Sequence, residues 1–261
     1  MTTMTVTHIG GPTILIEFGG WRLLTDPTFD PPGESYSFGW GTRSTKLAGP
    51  AISASELDPI DAVLLTHDNH SDNLDSQGRA VLHQAPVVVT TVSAARRLGK
   101  QAHGLAPWST TFLQSPGRTP IQITATPARH GPPGSRPIVG DVIGFALQWA
   151  GQQNGVVWIS GDTVLYRGLR EAVQQLDIGV AIVHLGGVRF PITGPLHYTM
   201  TAERAVELCS LIEPRIVIPI HYEGWSHFHQ GNERARNAFD ASAISSRVRW
   251  LPLGKPADVV T

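Results

Sequence analysis

Five apolar runs in this chain each end in a side chain able to hold a metal ion. His67 follows DAVLLT, His130 follows ITATPAR, Asp162 follows VVWIS, His184 ends IGVAIVH and His221 ends RIVIPIH. Imidazole nitrogens and carboxylate oxygens suit a zinc-like cation, and manganese or iron accept the same donors. Scattered structural histidines have no reason to repeat this placement. Where such runs are strands of an open α/β sheet, their C-terminal ends line one edge, and ligand sites form there. Donors far apart in the sequence then converge.

The densest signal is Thr66–Asp75, THDNHSDNLD, with His67, His70, Asp72 and Asn73 on a short turn between a strand and a helix. Alone, an H-x-x-H-x-D segment is equally a helix-capping loop with solvated histidines. With His130, Asp162 and His221 at equivalent positions, the metal reading prevails. Sulfur is absent from the cluster. The single cysteine, Cys209, lies beside Leu208 and Leu211 in a helical segment and reads as core, and it has no partner for an internal disulfide.

The elements needed to position these groups are legible in the hydrophobic periodicity. Thr13–Phe18 and Trp21–Thr25 read as a hairpin across Gly19–Gly20, and the Pro/Gly-rich stretch Asp26–Gly41 as a surface loop. Strands are expected at Asp61–Thr66, Val87–Val92, Ile121–Thr126, Val142–Trp149, Val156–Ser160, Ile178–Val183, Arg215–Ile220 and Val248–Leu253. Helices are expected at Leu74–Gln84, at Ser93–Gly99 with a serine cap, and at Leu165–Leu176, Thr201–Ile212 and Glu233–Phe239. No repeat or low-complexity linker divides the chain, so residues 1–261 form one mixed α/β domain.

Hydrophobic residues at 41% against 16% charged supply a substantial core. A formal charge of −1 argues against a nucleic-acid partner and for a small-molecule substrate. Nothing in the first ten residues has the pattern of a signal peptide, no apolar run reaches bilayer length, and a cytoplasmic location is expected.

The chain resembles a metallo-β-lactamase-fold hydrolase, and most of all the branch containing ascorbate-6-phosphate lactonase and N-acyl-phosphatidylethanolamine phospholipase D. The resemblance is carried by HIGGPTILIEFGGWRLLTDP, the THDNHSDNLD loop, His130, SGDT at Ser160–Thr163 and PIHYEGW at Pro219–Trp225. It implies a four-layer αββα sandwich with metals in a cleft along one edge. It also implies His67, His70 and His130 around one metal, Asp72 and His221 toward a second, and Asp162 bridging them. The family loop reads His-x-His-x-Asp-His. Aligned on His70, this chain has one inserted residue after His67 and Asn73 in place of the last histidine, which weakens or empties the second site or leaves Asn73 to hydrogen-bond a ligand.

Other assignments stay open on sequence. His184 approaches the cluster or is a satisfied core residue. His197, in PLHYTM, resembles a catalytic position near the substrate. Asp26 orients a ligand histidine or makes a turn before Pro27. Tyr166, Tyr222, Trp225, Phe228 and His229 rim a pocket or pack the core, and Arg129 and Arg189 anchor an anionic group or lie on the surface. His8, His83 and His103 read as structural or exposed. The chemistry expected is metal-activated water, with Asp72 and Asp162 in the machinery, cleaving an ester, lactone, amide or phosphodiester. A non-catalytic metal-binding scaffold and, less favoured, a nuclease are the alternatives.

Overall fold

The computed structural model describes residues 2–39 and 41–261; Met1 and Trp40, the latter inside the predicted 26–41 loop, lie outside the described residues. Strands β1 (Thr3–Gly10), β2 (Thr13–Phe18), β3 (Trp21–Thr25), β4 (Ser35–Gly39), β5 (Thr42–Thr45) and β6 (Ala62–Leu64) come first. Helix α1 (Ser76–Leu82), β7 (Val87–Thr91), α2 (Val92–Leu98), β8 (Ala102–Leu105), β9 (Thr110–Leu113) and β10 (Ile121–Pro127) follow. Then come α3 (Arg136–Val139), β11 (Ile143–Trp149), β12 (Val156–Ile159), α4 (Arg167–Val173) and β13 (Ile178–His184). The chain closes with α5 (Ala202–Ile212), β14 (Ile216–Ile220), α6 (Asn232–Asp240) and β15 (Pro256–Val260).

Two sheets face each other. One has the order β15-β1-β2-β3-β6-β7-β8 and the other β14-β13-β12-β11-β10-β9. Strand alternation divides the apolar residues between layers. Ala62 and Leu64 point with Ile16, Leu23, Phe145 and Ile182 into the space between sheets. Val63 and Leu65 point outward onto Leu74, Val81 and Leu82 around α1. On the opposite flank, Trp158 and Val183 meet Leu169 of α4, Leu208 and Cys209 of α5, and Phe239 of α6. The layers run helix, sheet, sheet, helix, as the resemblance implies. All seven residues of β13 are buried, as expected where a parallel strand is covered on both faces. Truncating the fully buried Phe145 to Ala would cost about 3–5 kcal/mol.

Strand direction explains the convergence of donors. β3, β6, β7 and β8 are parallel, as are β12, β13 and β14. β10 runs antiparallel to β11 and β11 to β12, so β10 points the same way as β12. The C-terminal ends of β10, β12, β13 and β14 therefore share one edge.

Three local expectations need correction. The Pro/Gly-rich stretch contains the antiparallel ribbon β4–β5. Thr91, not Ser93, caps α2 by accepting from the Ala94 amide. Val248–Leu253 is not a strand; its backbone pairs with the sheets through the isolated bridges Val217–Val248 and His8–Leu253. Its Trp250 and Leu251 pack inward, which supplied the apolar signal, while the less apolar β15 makes the final pairing, with β1. Among the described residues no helix is long and apolar enough to cross a membrane.

Candidate metal centre

Between β6 and α1 the chain is pinned at both ends. Asp75 Oδ1 accepts from Gly78 N at the helix start and from Phe29 N, and its Oδ2 accepts from Asp30 N and from Lys46 Nζ at 2.7 Å. Asp30 in turn accepts from Ser76 N and Gln77 N. Two carboxylates thus satisfy the orphan amides of α1 and favour its dipole. A Cβ on Gly78 would lie 1.8 Å from the Pro27 carbonyl oxygen, so glycine is required for this close approach. The inserted residue is visible: Asn69 is exposed and rests over Gly140, while His67 and His70 turn inward.

His67, His70 and His130 meet. His70 Nδ1 lies 3.3 Å from His67 Nε2 and 3.0 Å from His130 Nε2. His130 Nδ1–H donates to the Tyr198 carbonyl at 2.7 Å, so its Nε2 carries a lone pair. The Thr66 amide and hydroxyl donate to Asp26, and Thr66 Oγ1 lies 3.0 Å from His67 Nδ1, whose N–H it accepts. His67 Nε2 is then also a lone pair. Asp26 orients His67 through Thr66. Burial pushes His130 down to about 3 and holds His67 well below, and His70 below, the ordinary histidine range, so all three imidazoles are neutral donors at neutral pH. His70 Nδ1 faces both of these lone pairs, close enough to donate a proton to one of them or to share a cation with both.

Asp72, Asp162 and His221 form a second group. Asp162 stands between the two: Oδ2 is 3.9 Å from His130 Nε2 and Oδ1 is 3.4 Å from His221 Nδ1. It is delivered by the turn after β12, where Gly161 has φ +62° and a Cβ would meet the Ile143 carbonyl at 2.6 Å. His221, at the end of β14, holds φ 59°, and Asp26, at the end of β3, φ 30°, left-handed conformations uncommon outside glycine and concentrated at functional sites. Asp72 Oδ1, both oxygens of Asp162 and both ring nitrogens of His221 are buried without a hydrogen-bond partner. Burial pushes the Asp162 carboxyl up to about 6. Burial opposes charge at His221 as well, but the Asp162 and Asp72 carboxylates raise it overall. The group attracts positive charge, and orphaned carboxylate and imidazole atoms are the donors a divalent cation satisfies. Both triads fit a metal ion.

Asn73 is fully buried and neither end of its amide makes a hydrogen bond. His184 is buried as expected, but it is only half satisfied. Nδ1 lies 3.3 Å from Ser160 Oγ, while Nε2 has no hydrogen-bond partner and faces Asp26 Oδ2 at 3.4 Å. Sequence reasoning missed His227. Its Nε2 lies 2.9 Å from Asp72 Oδ2 and its Nδ1 contacts Ser44 Oγ on β5. Burial works against the charge of Asp72, yet the facing His221 and His227 hold its carboxyl well below the usual range.

A cavity of about 230 Å³ opens on His70, Asp72 and His130, walled by Phe38, Ile138, Val188, Phe190, Ile192 and Tyr198 among others. The aromatic residues expected at a rim sit elsewhere. Tyr166 lies under Arg129 at 4.3 Å, Tyr222 packs against Trp250, and Phe228 packs on His221. Trp225 backs Phe38. His197 is not brought to the cluster; it lines a separate groove with Arg189, Glu203, His229 and Arg234. His8 is buried with Nε2 on the Gly11 carbonyl, and His83 and His103 are exposed.

The model of the beta-lactamase superfamily domain matches residues 21–222, a span that contains both triads. The chain belongs to the beta-lactamase superfamily. A UPF0173 metal-dependent hydrolase of Caldivirga maquilingensis is 26% identical over 97% of this chain and 95% of its own length. Another from Pelotomaculum thermopropionicum is 26% identical over 98% of this chain and all of its own. Among solved structures, the isothiocyanate hydrolase from Delia radicum gut bacteria superposes with a TM-score of 0.80 at 17% identity, covering 99% and 100% of the two chains. The metallo hydrolase Igni18 of Ignicoccus hospitalis gives 0.71 at 20% identity, covering both chains fully. The diiron β-hydroxylase CmlA of Streptomyces venezuelae gives 0.67 at 16%, covering 99% of this chain and 54% of its own. These likenesses establish the fold. This superfamily member is a metal-dependent hydrolase.

Proposed function

We propose that the protein cleaves an ester, lactone, amide or phosphodiester with the help of zinc, in preference to manganese or iron, held at one or both triads. The observation that carries this reading is the pair of adjoining groups, His67, His70 and His130 beside Asp72, Asp162 and His221, with His70, Asp72 and His130 open to one cavity. A divalent cation bound there supplies Lewis acidity and brings the pKa of water to about 7. The three imidazoles hold such a cation without adding charge. Asp162 spans the two groups, and Asp72 closes the second with His221. The buried oxygens of Asp72 and Asp162 are the groups able to accept a proton released when water attacks. His197, expected near the substrate, has no part in this reading because it faces another groove. The likeness to the ascorbate-6-phosphate lactonase and phospholipase D branch supports a lactone or phosphodiester among the candidates.

Elemental analysis of protein purified without added metal, run beside a hydrolysis screen, tests the proposal. Stoichiometric metal and turnover are expected, both lost in Asp162→Ala. Full turnover by a metal-free Asp162→Ala protein overturns it.

A further inference from the structure

The cavity walls narrow the substrate, on the footing of the hydrolytic reading above. Beyond the donors, the lining is apolar: Phe38, Ile138, Val188, Phe190 and Ile192, with Tyr198 and two threonines. The threonines are already committed, Thr42 donating to the Gly39 carbonyl at 2.6 Å and Thr193 to that of Phe190 at 2.9 Å. No lysine or arginine among the described residues lines this cavity. Phosphate recognition draws on metal ions and on charge-assisted N–H donors, with arginine foremost, and an anion seated against the apolar walls, away from the metal donors, would lose its hydration uncompensated. Guanidinium groups lie in neighbouring hollows instead, and the buried Nε of Arg129 has no hydrogen-bond partner. Arg129 and Arg136 belong to a neighbouring hollow of about 410 Å³ that reaches His130 but not His70 or Asp72; Arg129 lies over Tyr166 and Arg136 pairs with Asp141. Arg189 belongs to the His197 groove.

We propose that the substrate is an uncharged carbonyl compound, an ester, lactone or amide, that seats an aryl or short alkyl group among Phe38, Val188 and Phe190 with its carbonyl toward His70, Asp72 and His130. Size agrees: an apolar cavity of about 150 Å³ takes a benzene ring, so about 230 Å³ takes a ring and a few further atoms. Longer chains leave past Ile192, which is 71% exposed. Chemically, the water oxygen bonds to the carbonyl carbon and the bond from that carbon to oxygen or nitrogen breaks. One water proton goes to the leaving group and the other to solvent, giving a carboxylate and an alcohol or amine. The carboxylate product, unlike the substrate, is charged, and these walls favour its release.

The test compares binding on the holoprotein by calorimetry. 4-Nitroanisole should bind at least about tenfold tighter than 4-nitrophenyl phosphate, and Phe190→Lys should reverse that order. Should Phe190→Lys fail to fold, Ile192→Lys at the exposed rim places the same charge. Phosphate binding as tight as the ether, in the unaltered protein, overturns the inference. Release of 4-nitrophenolate from 4-nitrophenyl butyrate is followed separately. Ether-selective binding with metal present but no turnover of any ester, lactone or amide overturns the hydrolytic reading instead, so the two failures are told apart.

Discussion

His67, His70 and His130 bring three neutral imidazoles together, whereas Asp72 and Asp162 set two buried carboxylates against the single imidazole of His221. The first group is ordered by its surroundings: Thr66 and Asp26 fix one ring and the Tyr198 carbonyl another. The second is ordered less completely, with five donor atoms lacking any hydrogen bond and the neutral, unpartnered amide of Asn73 buried among them. Neutral donors can wait unmetallated at small cost. Buried carboxylates cannot, and they draw a proton or a cation. The two halves of one cleft therefore differ in how strongly they need metal and in what they do without it.

Removing one donor from each half has the largest expected effect. His67→Ala or Asp162→Ala should lower kcat/KM by about a thousandfold or more, since loss of the cation forfeits several kcal/mol of charge stabilisation; elemental analysis should show metal lost with activity. Next in size, His227→Gln should weaken the carboxylate-side metal by about 10–100-fold while leaving the three-histidine side unchanged, because it removes only the group that orients Asp72. A cobalt titration resolving two steps checks it, and equal loss at both steps would place His227 in a general structural role. Asn73→His should strengthen the same step, on the order of tenfold, by restoring an imidazole donor; no change would mean that Asn73 faces away from the ion.

Acid stability of the metal-free protein gives the smallest and most discriminating effect. His130 titrates at about 3 when folded and near 6.5 when unfolded, so the unfolded chain binds the extra proton between these values. Its contribution is complete above pH 6.5 and is lost as pH falls. Asp162 has the opposite sign: raised from 3.8 to about 6, its contribution is complete below 3.8 and is lost as pH rises through 6. Between pH 4 and 6 the halves oppose each other. Metal-free Asp162→Asn should then lose stability on acidification more steeply than the unaltered protein, by up to about 1.4 kcal/mol per pH unit, measured by urea unfolding at pH 7 to 4. An unchanged slope would remove the predicted antagonism.

What was legible in the sequence follows from strand direction. A donor just past the C-terminal end of a strand is placed by the sheet itself, after the parallel β6, β12 and β14 and equally after the antiparallel β10, so His67, His130, Asp162 and His221 could be read from strand ends. The inserted Asn69 did not spoil this, because a loop residue can turn outward while its neighbours keep their aim. His227 follows no strand and has no periodic signal; it reaches Asp72 through a loop held by the β4–β5 ribbon, and that ribbon was hidden by proline and glycine. The cavity walls were illegible for the same reason. Phe38 lies on the short ribbon that the glycines hid, and Phe190 lies in an irregular segment, where residue type does not say which way a ring points. Val248–Leu253 misled because inward packing and strand pairing leave the same apolar trace.

Phe38 and Thr42 on the β4–β5 ribbon form part of the cavity wall, and Ser44 on the same ribbon touches His227, which holds Asp72. Entrance and carboxylate are thus coupled mechanically. A guest bulky enough to push the ribbon outward would pull on the linkage that steadies Asp72, so an ill-fitting molecule would slacken the machinery meant to cut it. Selectivity of this kind acts on turnover rather than on capture: a guest can be held and still be spared.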